Sequence, residues 1–256
     1  MAEVPEKTKG GYIGEIFSSF QGEGIWVGIK QIFVRFLDCS LGCVYCDTPY
    51  SRMREGFCSV ESIPGKREFL LVSNPIPIQK LTRFLNRLEK QSPGHHSVSV
   101  TGGEPLEQAD FLAEWLPAVK RKLKIYLETN GTMTSALEKV LKLIDIVAMD
   151  IKLPSATRKK AFWHEHLEFM KLCRRKAALV KVIITSKTDK YEVLKAALLV
   201  KKINKHLPFI IQPATEYGSF KDVPEEAFLI SLQSECARIL KNVRVIPQIH
   251  KLIGMR

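Results

Sequence analysis

"QIFVRFLDCSLGCVYCDT" occupies residues 31 to 48. Its first seven residues crowd Ile, Val and Phe, as a β-strand does. The strand runs straight into a loop carrying Cys39, Cys43 and Cys46, spaced C-x3-C-x2-C. Such a loop, at the C-terminal end of a first strand, stands where α/β folds gather their active sites. Several readings of the three thiols compete. A structural zinc site wants four closed ligands, so Asp38 or Asp47 would have to serve where Cys or His usually does. A four-cysteine iron–sulfur cluster would need Cys58, well outside the loop. Three buried cysteines without a metal would be unusually dense. A [4Fe–4S] cluster on three thiolates would leave one iron open to an outside ligand.

Further along, five more runs are rich in Val and Ile: "SVSVT" (97 to 101), "KIYLET" (124 to 129), "IDIVAMDI" (144 to 151), "ALVKVIIT" (178 to 185) and "PFIIQPA" (208 to 214). Near-continuous apolar runs of this length suit buried parallel strands. Helical patterns separate them, over residues 77 to 91, 107 to 122, 135 to 143, 160 to 176 and 189 to 205. Pro117 is expected to kink or break the second of these. Strand–helix alternation predicts an α/β fold with a parallel sheet. Six units are too few for the usual eight-stranded closed barrel, so an open, partial (β/α)6 barrel is expected, as a single domain over residues 1 to 256. Residues 49 to 76 hold three prolines and two glycines and read as an irregular insertion.

Composition narrows the class. Hydrophobic residues make up 45% of the 256, and charged ones 26%. There is no apolar run of about 18 residues to span a membrane, and the opening "MAEVPEKTKGG" lacks a signal core; the chain reads as cytoplasmic. Six cysteines, half of them clustered, do not make a disulfide framework. The net charge of +12 includes "RKK" (158 to 160) and "KLCRRK" (171 to 176). These read first as solvated helix faces, and second as attraction for an anion or an acidic protein. No nucleic-acid-binding motif accompanies them.

The C-x3-C-x2-C loop, with Tyr45 before its last cysteine and "TGGEP" (101 to 105) ending the second strand, resembles the radical S-adenosylmethionine (SAM) superfamily. That resemblance implies a [4Fe–4S] cluster on Cys39, Cys43 and Cys46, with SAM chelating the open iron. An electron from the cluster would then cleave SAM to a 5′-deoxyadenosyl radical. Within the superfamily, "GEIFSSFQGEGIWVGIKQIFVRFLDCSLGCVYCDTP" (14 to 49) and "PQIHKLIG" (247 to 254) resemble the 7-carboxy-7-deazaguanine synthases. The family converts 6-carboxy-5,6,7,8-tetrahydropterin to 7-carboxy-7-deazaguanine with loss of ammonia, on the way to queuosine and related 7-deazapurines, and a Mg2+ ion assists.

The resemblance also implies roles. Phe20, Gln21, Gly22, Glu23, Arg35, Thr101 and His250 would meet the substrate, and Tyr45, Cys46, Asp47, Gly103, Glu104, Asp150 and Lys152 would meet SAM. Thr48 would offer Mg2+ a hard oxygen. Glu104 would accept from the SAM ammonium. Arg35 would pair with the substrate carboxylate through a planar fork that Lys lacks. A flavodoxin or ferredoxin would supply electrons, and a homodimer is compatible with the resemblance. Three stretches depart from the family pattern. Leu37-Asp38 replaces a small residue and Gly. "MDIKLPS" (149 to 155) replaces Ser-Pro-Lys, and its D-x-K is similar to glycyl-radical activating enzymes. The insertion at 49 to 76 is the third. An activase acting on a partner's glycine is therefore the competing enzyme. A non-catalytic metal protein bound to RNA is the competing non-enzyme. His164 and His166, two apart on a helix, point to different faces. Cys58, Cys173 and Cys236 read as core residues.

Overall fold

The computed structural model describes residues 10–256. Twelve strands appear in chain order: β1 (Gly10–Gly11), β2 (Ile13–Phe20), β3 (Lys30–Phe36), β4 (Phe57–Glu61), β5 (Phe69–Ser73), β6 (Ile76–Pro77), β7 (Ser97–Gly102), β8 (Lys124–Thr129), β9 (Ile146–Asp150), β10 (Ala177–Ile184), β11 (Phe209–Pro213) and β12 (Val243–Val245). The α-helices are α1 (Ile78–Gln91), α2 (Ala109–Lys120), α3 (Thr134–Val140), α4 (Pro154–Thr157), α5 (Trp163–Cys173), α6 (Lys190–Ile203), α7 (Glu226–Ile239) and α8 (Ile249–Leu252). Among the described residues, no helix is long and apolar enough to cross a membrane.

Ten strands form one sheet in the order β12-β11-β10-β9-β8-β7-β3-β2-β4-β5. From β3 through β12 every neighbouring pair is parallel. The six strands expected from sequence are β3 and β7 to β11, each within two residues of the expected bounds. A helix follows each of them, which makes the six βα units. The sheet ends on β12 and β5 and stays open.

The structure corrects three expectations. The 49–76 segment is not irregular throughout, because β4 and β5 pair as an antiparallel hairpin that extends the sheet beyond β2. Its strands are only partly buried, with Cys58, Val60, Glu61 and Val72 inside and Phe57, Leu70 and Leu71 outside. They therefore lack the continuous apolar run that marks a central strand. Helix α2 continues through Pro117 to Lys120, because Trp115, Leu116 and Val119 hold its last turns against the core. Strand β2 lies antiparallel beside β3 and carries Glu15 into the site, although sequence reading drew no strand there.

Side chains alternate across the sheet. On β3, Ile32, Val34 and Phe36 join Val98, Val100, Ile125, Leu127, Val147, Val180 and Val182 under the helices, which contribute Leu81, Leu112, Trp115 and Phe169. The opposite face has a small apolar floor of Tyr126, Ile146, Ala148, Leu179 and Ile210, covered by Ile25 and Trp26. Beyond that floor, toward the strands' C-terminal ends, the same face turns polar.

Candidate active site

That polar face opens into a cavity of about 210 Å³. Sixteen of the seventeen residues singled out from sequence line it, among them Cys39, Cys43, Cys46, Gln21, Glu23, Arg35, Asp150, Lys152 and His250; Glu104 does not. A loop after β2, a loop after β3 and the ends of β7 and β9 thus converge on one space, as parallel topology dictates.

The cysteine loop is held from below. Gly102 has φ +115°, which side-chain-bearing residues rarely adopt. A Cβ on Gly103 would stand 2.1 Å from the Asp38 carbonyl oxygen and 2.7 Å from that of Ser51. The Gly103 N–H donates to Phe36 O at 2.9 Å, and Glu104 N–H to Asp38 O at 2.7 Å. So "GGEP" clamps the loop backbone onto β3. Cys39, Cys43 and Cys46 share an apolar cluster with Leu41, Tyr45 and Phe162. Burial pushes the Cys39 thiol up, while hydrogen bonds from the Leu41 and Gly42 backbone pull it back down. Three thiols from one loop, partly screened from water, with backbone donors at Cys39, fit a thiolate-ligated iron–sulfur cluster. Cys58 is fully buried on β4 among the core residues and is not part of the cavity wall. Thr48 lies beside the cysteines, with its hydroxyl 3.7 Å from Cys46 Sγ.

Glu104 lies outside the cavity lining and is bonded within the fold. It is fully buried. Its Oε1 accepts from Leu106 N–H at 3.1 Å and Thr129 Oγ1 at 2.9 Å, and its Oε2 accepts from Asn130 N–H at 2.7 Å. Burial raises its carboxyl to about 7 against the pull of those three bonds. The side chain ties the end of β7 to the end of β8 beneath the cavity wall. The adjacent His166 is also buried, and burial lowers it to about 4, so the ring is neutral. His164 is exposed.

Across the cavity runs a chain of charges. Lys152 Nζ lies 2.9 Å from Asp150 and 5.7 Å from the centre of the Tyr45 ring. Asp150 lies 3.3 Å from Lys181, which pairs with Glu23. Glu23 Oε1 accepts from Gln248 Nε2 at 2.8 Å, and the same amide reaches Asp47 at 3.1 Å. Lys251 closes on Asp47 at 2.7 Å. Burial favours the neutral Glu23 acid, but Lys181, aided by Gln248 and His250, overrides it and holds the carboxyl at about 2. Lys152 is likewise kept charged despite burial, chiefly by Asp150.

A second polar group sits over β2, β3 and β8. Arg35 Nε donates to Glu15 at 2.9 Å, and Arg256 pairs with the other Glu15 oxygen. The arginine thus already has a protein carboxylate beside it. Glu128 accepts from Gln21 at 2.9 Å, Ser99 at 3.1 Å and Thr101 at 3.2 Å. His250 packs against Gly22, whose added Cβ would lie 2.1 Å from the ring Nδ1, and Ile249 N–H donates to Gly22 O at 2.9 Å.

The radical SAM superfamily model matches residues 34–196. Over 247 residues the chain is 38% identical to the 7-carboxy-7-deazaguanine synthase of Geobacter sulfurreducens, covering 96% of this chain and 98% of that one. The chain belongs to the 7-carboxy-7-deazaguanine synthase family. The Archaeoglobus fulgidus synthase is 33% identical, with 94% and 97% covered. Among solved structures, QueE from Escherichia coli shares the fold, with TM-score 0.59, 19% identity, and 94% and 95% of the two chains covered. Streptococcus suis SuiB bound to S-adenosylmethionine matches at TM-score 0.55 and 17% identity, over 82% of this chain and 48% of that one. As a member of this superfamily the synthase uses a [4Fe–4S] cluster and SAM.

Sequence reading missed Glu15, Glu128, Lys181 and Gln248, all of which bear on the site. The available signal was modest. "GEIF", "YLET" and "LVKV" each place one charged residue inside an otherwise apolar strand. On a buried strand such a residue needs a partner, so each marks the polar face.

Proposed function

We propose that this synthase converts 6-carboxy-5,6,7,8-tetrahydropterin to 7-carboxy-7-deazaguanine with loss of ammonia. The observation that carries the reading is the meeting, in one cavity, of the cysteine loop with the Phe20–Glu23 loop and Arg35, in a chain that matches named relatives end to end. Cys39, Cys43 and Cys46 would hold the cluster, leaving one iron for SAM. When bound, cluster and SAM together supply the electron and the hydrogen-abstracting radical.

The chain's own residues position and screen. Tyr45, Asp47, Gly103, Asp150 and Lys152 bound the SAM half of the cavity. Lys152 brings a fixed positive charge to the side where a carboxylate would dock, and Asp150 offers an acceptor to hydroxyls or an ammonium. Phe20, Gln21, Gly22, Glu23, Thr101 and His250 bound the substrate half. A pterin edge alternates donors and acceptors, and Gln21, Glu23 and Glu128 can read that alternation. Arg35, held in orientation by Glu15, directs its guanidinium at the substrate carboxylate. Thr48 would supply one oxygen to Mg2+, which keeps most of its water. An acidic one-electron carrier, a flavodoxin or ferredoxin, would complement the net charge of +12. The test is anaerobic reconstitution with iron and sulfide, then incubation with SAM, reductant and the pterin. Formation of the deazaguanine is expected. Cleavage of SAM without conversion of the pterin would refute the substrate.

A further inference from the structure

We infer that Lys181 is a positioning residue of this pocket: it holds the Glu23 carboxylate in place as a fixed acceptor for the donor edge of the substrate's pyrimidine ring. The inference rests on the substrate reading above and adds to it a residue on a different strand.

Lys181 sits in the middle of β10 and is 8% exposed. A lysine there loses most of its hydration and is tolerated only if paired. It has two partners, Glu23 on the substrate loop and Asp150 at 3.3 Å on the neighbouring strand. Asp150 is its register partner in the sheet, so the backbone ladder fixes that contact. The contact to Glu23 is not fixed by any ladder and joins β10 to a loop 158 positions earlier.

The same strand seats the loop twice. Leu179 lies under Gly24, where an added Cβ would come within 2.5 Å of Leu179 Cδ2. Two residues on, Lys181 lies under Glu23. The Glu23 backbone is held from within its own loop, its N–H donating to Gln21 Oε1 at 3.0 Å. The carboxylate is then held at both oxygens, by Lys181 and by Gln248. The other titratable groups around this pair belong to different elements: Asp150 on β9, Glu128 and Tyr126 on β8, His250 and Lys251 on α8, and Asp47 beyond Gln248. Asp150 also has Lys152 and Asp47 has Lys251, so Lys181 is the cation that pairs with Glu23 itself. Remove it, and burial together with Asp150 and Glu128 drives Glu23 toward its neutral acid, which presents a donor where the substrate needs an acceptor.

The experiment compares wild type, Lys181→Met, Lys181→Arg and Glu23→Gln, each reconstituted anaerobically and loaded with SAM. Pterin dissociation constants are measured by equilibrium binding from pH 6 to 8.5, beside SAM affinity, iron content and melting temperature. Wild type and Lys181→Arg are expected to bind the pterin with a nearly flat pH profile. Lys181→Met is expected to bind about tenfold more weakly at pH 6.5 and to recover as pH rises, by at most about tenfold per unit because one proton is released. Glu23→Gln is expected to be about tenfold weaker and flat, since no proton restores its charge. Because Asp150 touches Lys181 but keeps Lys152, SAM affinity in Lys181→Met should change less than pterin affinity does, and in Glu23→Gln it should stay within about threefold. A Lys181→Met variant that binds the pterin as wild type does, or is weakened equally at every pH, overturns the inference. Should that variant not fold, wild-type pterin affinity in Glu23→Gln overturns it instead. Wild-type protein that binds SAM but no pterin sinks the substrate reading itself, a result distinct from any of these.

Discussion

Replacing Glu104 by Gln or Ala tests whether this carboxylate is a tie within the fold. It is fully buried and serves three donors, Leu106 N–H, Thr129 Oγ1 and Asn130 N–H. Gln keeps one oxygen but turns an NH2 group toward a donor that had an acceptor. One buried donor left unpaired costs about 1–3 kcal/mol. Ala strands all three. Relaxation and entering water recover part, so the loss is about 2–5 kcal/mol. In a chain of this size each kcal/mol moves the melting temperature by about 2–4 °C. There is also a pH signature. Burial lifts the Glu104 carboxyl from an ordinary 4.5 to about 7. The folded state therefore holds this proton more tightly than the unfolded state does. Its contribution is complete below about pH 4.5 and is lost as pH rises through about 7, an effect of about 3 kcal/mol. The assay is urea unfolding of apo protein between pH 5 and 8, with SAM affinity of the reconstituted protein measured in parallel. Wild type should lose more stability across that range than Glu104→Gln. Equal stability of the two proteins, or a gap between them that does not change with pH, would refute the reasoning.

Three further outcomes are expected. Ala at Cys39, Cys43 or Cys46 should abolish iron uptake on reconstitution. Ala at Cys58, Cys173 or Cys236 should leave iron content intact and lower only stability, because all three lie in the apolar core with thiols pushed up by burial. Gly103→Ala should disrupt the cysteine loop, since the added methyl meets two backbone carbonyls that cannot both retreat; iron content read by absorbance checks this. Arg35→Lys should slow pterin turnover and Arg35→Ala should slow it more. Both should keep SAM binding, as Arg35 is paired with Glu15 on the substrate side of the cavity.

The parallel strands were legible because burial on both faces writes itself as unbroken Val and Ile. Strand β3 could be placed from its run of Ile, Val and Phe, and the cysteine loop from its position directly after that run. The hairpin β4–β5 escaped because edge strands bury one face, and its exposed Phe57, Leu70 and Leu71 mimic noise. Strand β2 escaped for a related reason: "GEIFSSF" mixes a charge and two serines into its apolar residues. At the site, motif residues close in sequence could be grouped beforehand. Pairs such as Lys181 with Glu23, or Arg256 with Glu15, could not, since only the strand order says which elements face each other. Glu104 was seen as chemically important, but its donors come from residues 106, 129 and 130, and no spacing rule announces them.

The cavity's roof comes late in the chain. Gln248 reaches back 201 positions to Asp47 and 225 to Glu23, and Arg256 reaches back 241 to Glu15. Translation delivers the cysteine loop about two hundred residues before the segment that covers it. During that interval the nascent sheet can bury its apolar side while the thiols stand in open water, exposed to any oxidant present. A nick after Pro247 would leave an intact core around a site that can no longer shut.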